Sequence, residues 1–165
     1  MRSIIDNYLK YLQVERNASV HTITSYNNDL TSFNEFCSRQ FEKEPESVDI
    51  QQITRLTIRL WLGELSELEM AKSTIARKVA ALRSFFKYCF KRGFIHKNPA
   101  HLLVVPRKDK SLPKTVTEED MTRMLDHVDT STARGMQDRA ILEVFYASGI
   151  RVSELTGLNI TDLDL

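Results

Sequence analysis

Four times in its first hundred residues this chain repeats apolar side chains at the 3.6-residue period of an α-helix, with only short polar stretches between. Ile5, Tyr8, Leu9 and Leu12 form the first stripe, with Ser3 placed to cap it. Ile23, Tyr26, Leu30, Phe33 and Cys37 form a longer second stripe behind a capping Ser19. Thr54 can start a third helix through Leu56, Leu60 and Trp61, which stops or weakens near Gly63. Ser73 opens a fourth, with Ile75, Val79, Leu82, Phe86 and Cys89 inward and Gly93 as the left-handed stop. No alternating strand pattern interrupts them. Four amphipathic helices with short connections predict a small all-α bundle over residues 1–104.

Residues 105–114 (Val105-Pro106-Arg107-Lys108-Asp109-Lys110-Ser111-Leu112-Pro113-Lys114) are polar, basic and punctuated by proline, the composition of a semi-extended linker. Residues 115–165 then begin a second domain. Thr117 with Asp120 approximates a capping box and opens a helix to about Val128. Another helix runs from about Thr132 to Ser148, with Ala140, Ile141, Val144 and Phe145 inward. A short helix follows at Arg151. Two and a half helices leave this part little core of its own.

The near-neutral balance of +1 conceals an asymmetry. Between Ala71 and Lys110 stand eleven basic residues and one acid, Asp109. The acids gather instead at Glu42–Asp49 and Glu118–Asp129. Such a block fits a polyanion on one face, or equally a solvated helix surface. No apolar run reaches the roughly 18 residues of a membrane span, and the N-terminus has no signal-peptide core. Cys37 and Cys89 lie on apolar stripes and read as reduced core thiols of a cytoplasmic protein. The four histidines are scattered and match no zinc spacing, so no metal or cofactor is expected.

Two helix starts carry candidate nucleic-acid contacts. The fourth helix presents Ser73, Thr74, Arg77, Lys78, Ser84 and Lys91 on the face opposite its stripe. The second begins with His21, Thr22, Ser25 and Asn28. Small hydroxyls and cations near a helix N-terminus can reach phosphates and major-groove edges. Arg107 and Lys108 could continue along the backbone. The aromatics at helical spacing, Phe33, Trp61 and Phe86, belong to the core, because stacking platforms need exposed rings.

Near the other end, Gly149 terminates a helical run and Arg151 follows on the turn, with Glu154 one helical turn later. A carboxylate there can fix the arginine's rotamer for bidentate phosphate binding. The same residues equally make a C-cap glycine beside a surface ion pair.

Four stretches together resemble the tyrosine-type site-specific recombinases of the phage-integrase and XerC/XerD group. Ser19-Val20-His21-Thr22-Ile23-Thr24-Ser25-Tyr26-Asn27-Asn28-Asp29-Leu30 is similar to the opening of that family's core-binding domain. The run Ser73–Phe86 through Asn98-Pro99-Ala100 is similar to its last helix and exit. Leu112-Pro113-Lys114 with Thr117–Asp120 resembles the start of its catalytic domain, and Gly149–Leu155 the motif of its first catalytic arginine. The resemblance implies a SAM-like four-helix core-binding bundle, a basic linker and the helical start of an α+β catalytic domain. It implies duplex DNA as partner, a tetramer on two paired sites with or without a second recombinase, and a nucleoid-associated protein. It also implies strand transfer through a 3′-phosphotyrosyl intermediate without metal or ATP. Arg151 would be the first catalytic arginine and Glu154 its support.

The family's lysine, His-x-x-Arg motif, later histidine and tyrosine find no match here. None of Tyr8, Tyr11, Tyr26, Tyr88 and Tyr146 stands in a nucleophile position, so these 165 residues alone are expected not to cleave DNA. Asp162–Leu165 resembles the lead-in to the catalytic domain's first strand. A non-catalytic DNA-binding module and a helical protein-interaction domain are the competing readings.

Overall fold

The structure, a computed structural model, describes residues 1–104 and 115–162. It divides into two packed units, Met1–Lys110 and Ser111–Leu165. The expected linker lies outside the described residues, as does the expected strand lead-in Asp162–Leu165 apart from Asp162, which ends a 3-10 turn. Among the described residues there is no strand.

The first unit holds α1 (Arg2–Val14), α2 (Val20–Phe41), α3 (Arg55–Glu67) and α4 (Lys72–Lys91). Helices α1, α2 and α4 pack on one another, and α3 packs on α2. The predicted stripes of α1, α2 and α4 supply the buried face: Ile5, Tyr8, Leu30, Phe33, Val79, Leu82 and Phe86 are fully enclosed. Aromatic rings meet edge to face at its centre, with Phe33 and Trp61 centroids 5.0 Å apart and Tyr8 and Phe85 5.4 Å apart.

Caps mark where sequence and structure agree and differ. Ser19 Oγ accepts from the Thr22 N–H, and Thr54 forms a reciprocal capping box with Thr57. Helix α1 starts ahead of the expected Ser3, with Met1 as its cap. Helix α4 begins at Lys72 after Ala71, so Ser73 and Thr74 lie within the first turn instead of capping it. Helix α3 runs through Gly63 to Glu67, because Leu65 continues its buried face. That face is also rotated from expectation. Ile58, Trp61 and Leu65 point inward, while Leu56 and Leu60 remain 64% and 48% exposed.

The loop at Pro45 is more ordered than its polarity suggests. Two 3-10 turns, Pro45–Ser47 and Ile50–Gln52, bring Val48, Ile50 and Ile53 onto the core. The Met1 amino group donates to the Val48 carbonyl at 2.6 Å, and Asn34 Nδ2 to the Pro45 carbonyl at 3.1 Å.

The second unit contains α5 (Glu118–Asp126), α6 (Ala133–Ser148), α7 (Val152–Leu155) and a 3-10 turn at Ile160–Asp162. Thr117 caps α5 through its side-chain oxygen, as its spacing to Asp120 predicts, and Thr132 caps α6 in the same way. Of its described residues only Gly135 is buried, and a Cβ there would sit 1.7 Å from the Asp129 carbonyl oxygen. The expected inward residues of α6 are not enclosed. Ala140 and Val144 are exposed, and Ile141 and Phe145 only half-buried, because α5 and α7 are too short to cover them.

Candidate nucleic-acid interface

The polar starts of α2 and α4 meet around a buried carboxylate. Asp29, 1% exposed on α2, receives Arg77 Nη1 on one oxygen, while Lys78 Nζ lies 3.2 Å from the other. Arg77 Nη1 also reaches the Ser25 carbonyl at 3.4 Å. Burying an unpaired carboxylate is prohibitive, so the two cations of α4 lock its first turns to α2. One carboxylate against two cations leaves a net positive site. Arg77 keeps its Nε and Nη2 hydrogens for another acceptor, and its side chain is 43% exposed.

Lys78 does not belong to the exposed face on which the sequence places it. Its side chain is 8% exposed and its ammonium sits 5.4 Å from the Trp61 ring centroid. The physical reason is its place one residue before Val79, on the inner arc of α4, where the Asp29 charge and the indole face together replace water. Ser84 is likewise turned inward, accepting the Tyr8 hydroxyl at 2.7 Å. Ser73, Arg77 and Lys91 remain exposed, Thr74 is half-buried, and His21, Thr22 and Asn28 lie at the start of α2. The Thr22 hydroxyl is 3.0 Å from Ser19 Oγ, engaged in the helix cap. Arg107 and Lys108 lie outside the described residues.

Sequence reasoning passes over Asp29, although a signal exists. It sits three residues after Tyr26 and directly before Leu30, so it borders the apolar stripe of α2. A charge there demands a buried partner, and Lys78 beside Val79 has the matching anomaly.

Burial displaces the titrations of core groups. The Cys37 and Cys89 thiols are pushed up to about 12, and desolvation raises the Tyr8 hydroxyl well above the ordinary phenol range. Tyr8 is therefore a core phenol held protonated, unsuited to attack a phosphate.

In the second unit, Gly149 adopts φ +64° and closes α6, so that Arg151 becomes the residue before α7. The Glu154 carboxylate then accepts from Arg151 twice, from its backbone N–H at 2.7 Å and from Nη1 at 2.9 Å. The Arg151 side chain is 81% exposed and Glu154 50%. This is a helix-start carboxylate that also aims a guanidinium outward, with Nε and Nη2 free of the pair.

Residues 5–93 match the phage integrase N-terminal SAM-like domain, and residues 114–165 match the phage integrase family. The chain belongs to the phage integrase family. Tyrosine recombinase XerC of Thermodesulfovibrio yellowstonii is 39% identical over 161 residues, covering 98% of this chain and 50% of the relative. XerC of Pelotomaculum thermopropionicum is 37% identical over 161 residues, covering 98% and 53%. The chain thus spans about half the length of the curated relatives it matches. Among solved structures, the Tn1549 transposon integrase (residues 82–397) in complex with circular intermediate DNA shares the fold. Its TM-score is 0.69 at 20% identity, over 98% of this chain and 51% of that one.

Proposed function

We propose that this chain is the DNA-gripping half of a site-specific tyrosine recombinase that cuts and rejoins duplex strands through a 3′-phosphotyrosyl intermediate. Residues 1–104 are its core-binding domain, 105–114 the connection, and 115–165 the start of its catalytic domain. The observation that carries this reading is Arg151, on a glycine-terminated turn with Glu154 holding its backbone and guanidinium together. The free edge of that guanidinium suits two non-bridging phosphate oxygens, and its charge counts most as charge develops in the pentavalent transition state. Glu154 is a positioning residue. Relatives named XerC, matched along nearly the whole chain, support the same activity.

Duplex contact falls to Thr22, Ser73, Thr74 and Arg77, with Arg107 and Lys108 on the connection. Lys78 acts through Asp29 and not directly on DNA. The complete recombinase works as a tetramer on two paired sites, with or without a second recombinase, in the cytoplasm on the nucleoid. The 165 residues alone bind without cutting.

The test uses the complete recombinase and a nicked duplex carrying its site, selected from a random pool. The wild type is expected to accumulate a covalent protein–DNA adduct. Arg151→Ala should lose at least about a hundredfold in adduct rate, the scale of losing one donor to a developing oxyanion. Duplex affinity should stay within about twofold, one phosphate contact being a small share of many. Undiminished adduct formation by Arg151→Ala would sink the assignment.

A further inference from the structure

Helix α3 is apolar on two sides. Its inner face, with Ile58, Trp61 and Leu65, is buried, yet Leu56 and Leu60 line the outer one and stay exposed. Each other helix of the first unit leaves a single large aliphatic or phenyl side chain exposed, Val14, Val20 or Phe90, which makes no stripe. At about 100° per residue, Leu56, Leu60, Gly63 and Glu67 fall on one arc of α3, with Arg59 beside them. Arg59, Gly63 and Glu67 are exposed too.

Two features of this arc serve nothing within the chain. Gly63 sits inside the helix with nothing within 4 Å of where a Cβ would stand, so an alanine would fit and would favour the helix. The charges also run against the helix dipole. Arg55 and Arg59 stand in the first half and Glu64 and Glu67 in the second, with no acid in the first turn and no base in the last. Arg39 of α2 answers Glu64 at 2.6 Å. Arg59 and Glu67 have no oppositely charged partner among the described residues.

A second copy laid antiparallel on this arc answers both. A two-fold axis at Gly63 sets Arg59 of each copy level with Glu67 of the other, because the two residues lie equally far to either side, about 6 Å along the helix. The contact is self-complementary, so the ion pair is made twice. The missing Cβ lets the two backbones approach at the crossing, and Leu56 and Leu60 of both copies close over the seam. The two helix dipoles oppose, and the basic start of one lies beside the acidic end of the other. We propose that the outer face of α3 is a two-fold contact with a second copy of this chain, crossing at Gly63. The face is small: 13 residues make a helix about 20 Å long and about 10 Å wide, which buries well under the roughly 1,000 Å² of a stable interface. The contact is therefore weak in solution. It takes hold where two copies are held close, as on paired DNA sites, a setting that rests on the recombinase reading.

Sedimentation equilibrium of the 165-residue chain without DNA, at concentrations up to about 1 mM, tests the proposal. The wild type is expected to dimerise reversibly, with a dissociation constant at or below about 1 mM. Arg59→Glu and Glu67→Arg each turn both ion pairs into like-charge contacts. Either should weaken association at least about tenfold, a few-fold for each of the two contacts. An equimolar mixture of the two variants should associate as the wild type does, because each copy then supplies the charge that the other needs. Gly63→Gln fills the crossing point with a good helix former, so its melting temperature should hold or rise while association falls at least about tenfold. A wild type that stays monomeric at about 1 mM overturns the proposal, as does a dimer that none of these substitutions weakens. A mixture that stays monomeric overturns the antiparallel register about Gly63. A fall in the melting temperature of Gly63→Gln along with its association makes the glycine a requirement of folding and overturns its place at the crossing. None of these outcomes bears on the recombinase reading, which the adduct assay decides separately.

Discussion

In Met1–Lys110 the rings of Tyr8, Phe33, Trp61, Phe85 and Phe86 are sealed from water by four helices, whereas in Ser111–Leu165 the described side chains stay exposed or half-covered. The first unit is ordered by packing, so each helix depends on the others. The second is ordered by short-range hydrogen bonds: the caps at Thr117 and Thr132, the left-handed Gly149, and the Arg151–Glu154 pair. The contrast concerns mechanism as well as stability. The duplex grip proposed for the first unit needs several helices fixed relative to one another, while one guanidinium can be aimed by its own turn. Damage should therefore spread through the first unit and stay local in the second.

The sharpest way to break that contrast is Asp29→Ala. It strands the Lys78 ammonium, with only an indole face beside it, and releases Arg77. Losing one partner of a buried pair costs about 3 kcal/mol or more. Trp61 is the only tryptophan and lies 5.4 Å from Lys78 Nζ, so its fluorescence in urea reports this unit alone. A loss below about 1 kcal/mol would show the ionic cluster to be incidental to packing.

A smaller effect follows from pH. Cys37 and Cys89 rise from an ordinary 9.0 to about 12 in the folded chain. Below pH 9 both states hold the thiol protons and stability is complete. As pH climbs from 9 toward 12 the unfolded chain ionises first, so folding weakens by up to about 1.4 kcal/mol per pH unit for each thiol. Urea midpoints at pH 8 and pH 10 measure this. Cys37→Ala/Cys89→Ala should flatten the alkaline fall, and an unchanged fall would place its origin elsewhere, the Tyr8 hydroxyl being next in line.

How much of this is legible in the sequence follows the same division. The stripes of α1, α2 and α4 and the caps at Ser19, Thr54, Thr117 and Thr132 can be read directly, because period and side-chain capping are local properties. The rotation of α3 cannot. Leu56, Ile58, Leu60 and Trp61 offer two apolar faces, and only the position of α2 decides between them. Lys78 is misplaced for a related reason: a lysine beside a core valine looks solvated until Asp29 is known to wait across from it. Gly149, Arg151 and Glu154 are readable as a turn with a paired arginine, since every bond that shapes them spans a few residues.

The smallest effect tests the locality of the second unit. Gly149 holds φ +64° with open space where a Cβ would stand, so Gly149→Ala meets backbone strain without a clash. The left-handed conformation costs an alanine roughly 1 kcal/mol, enough to favour a rearranged end of α6. The Arg151 N–H then leaves the Glu154 carboxylate, which it meets at 2.7 Å in the native turn. An upfield move of the Arg151 amide proton, with shift changes confined to residues 145–155, is the expected NMR signature. The urea midpoint followed by Trp61 should not move. If it does, order in the second unit depends on the first after all, and the aim of Arg151 is set by more than its own turn.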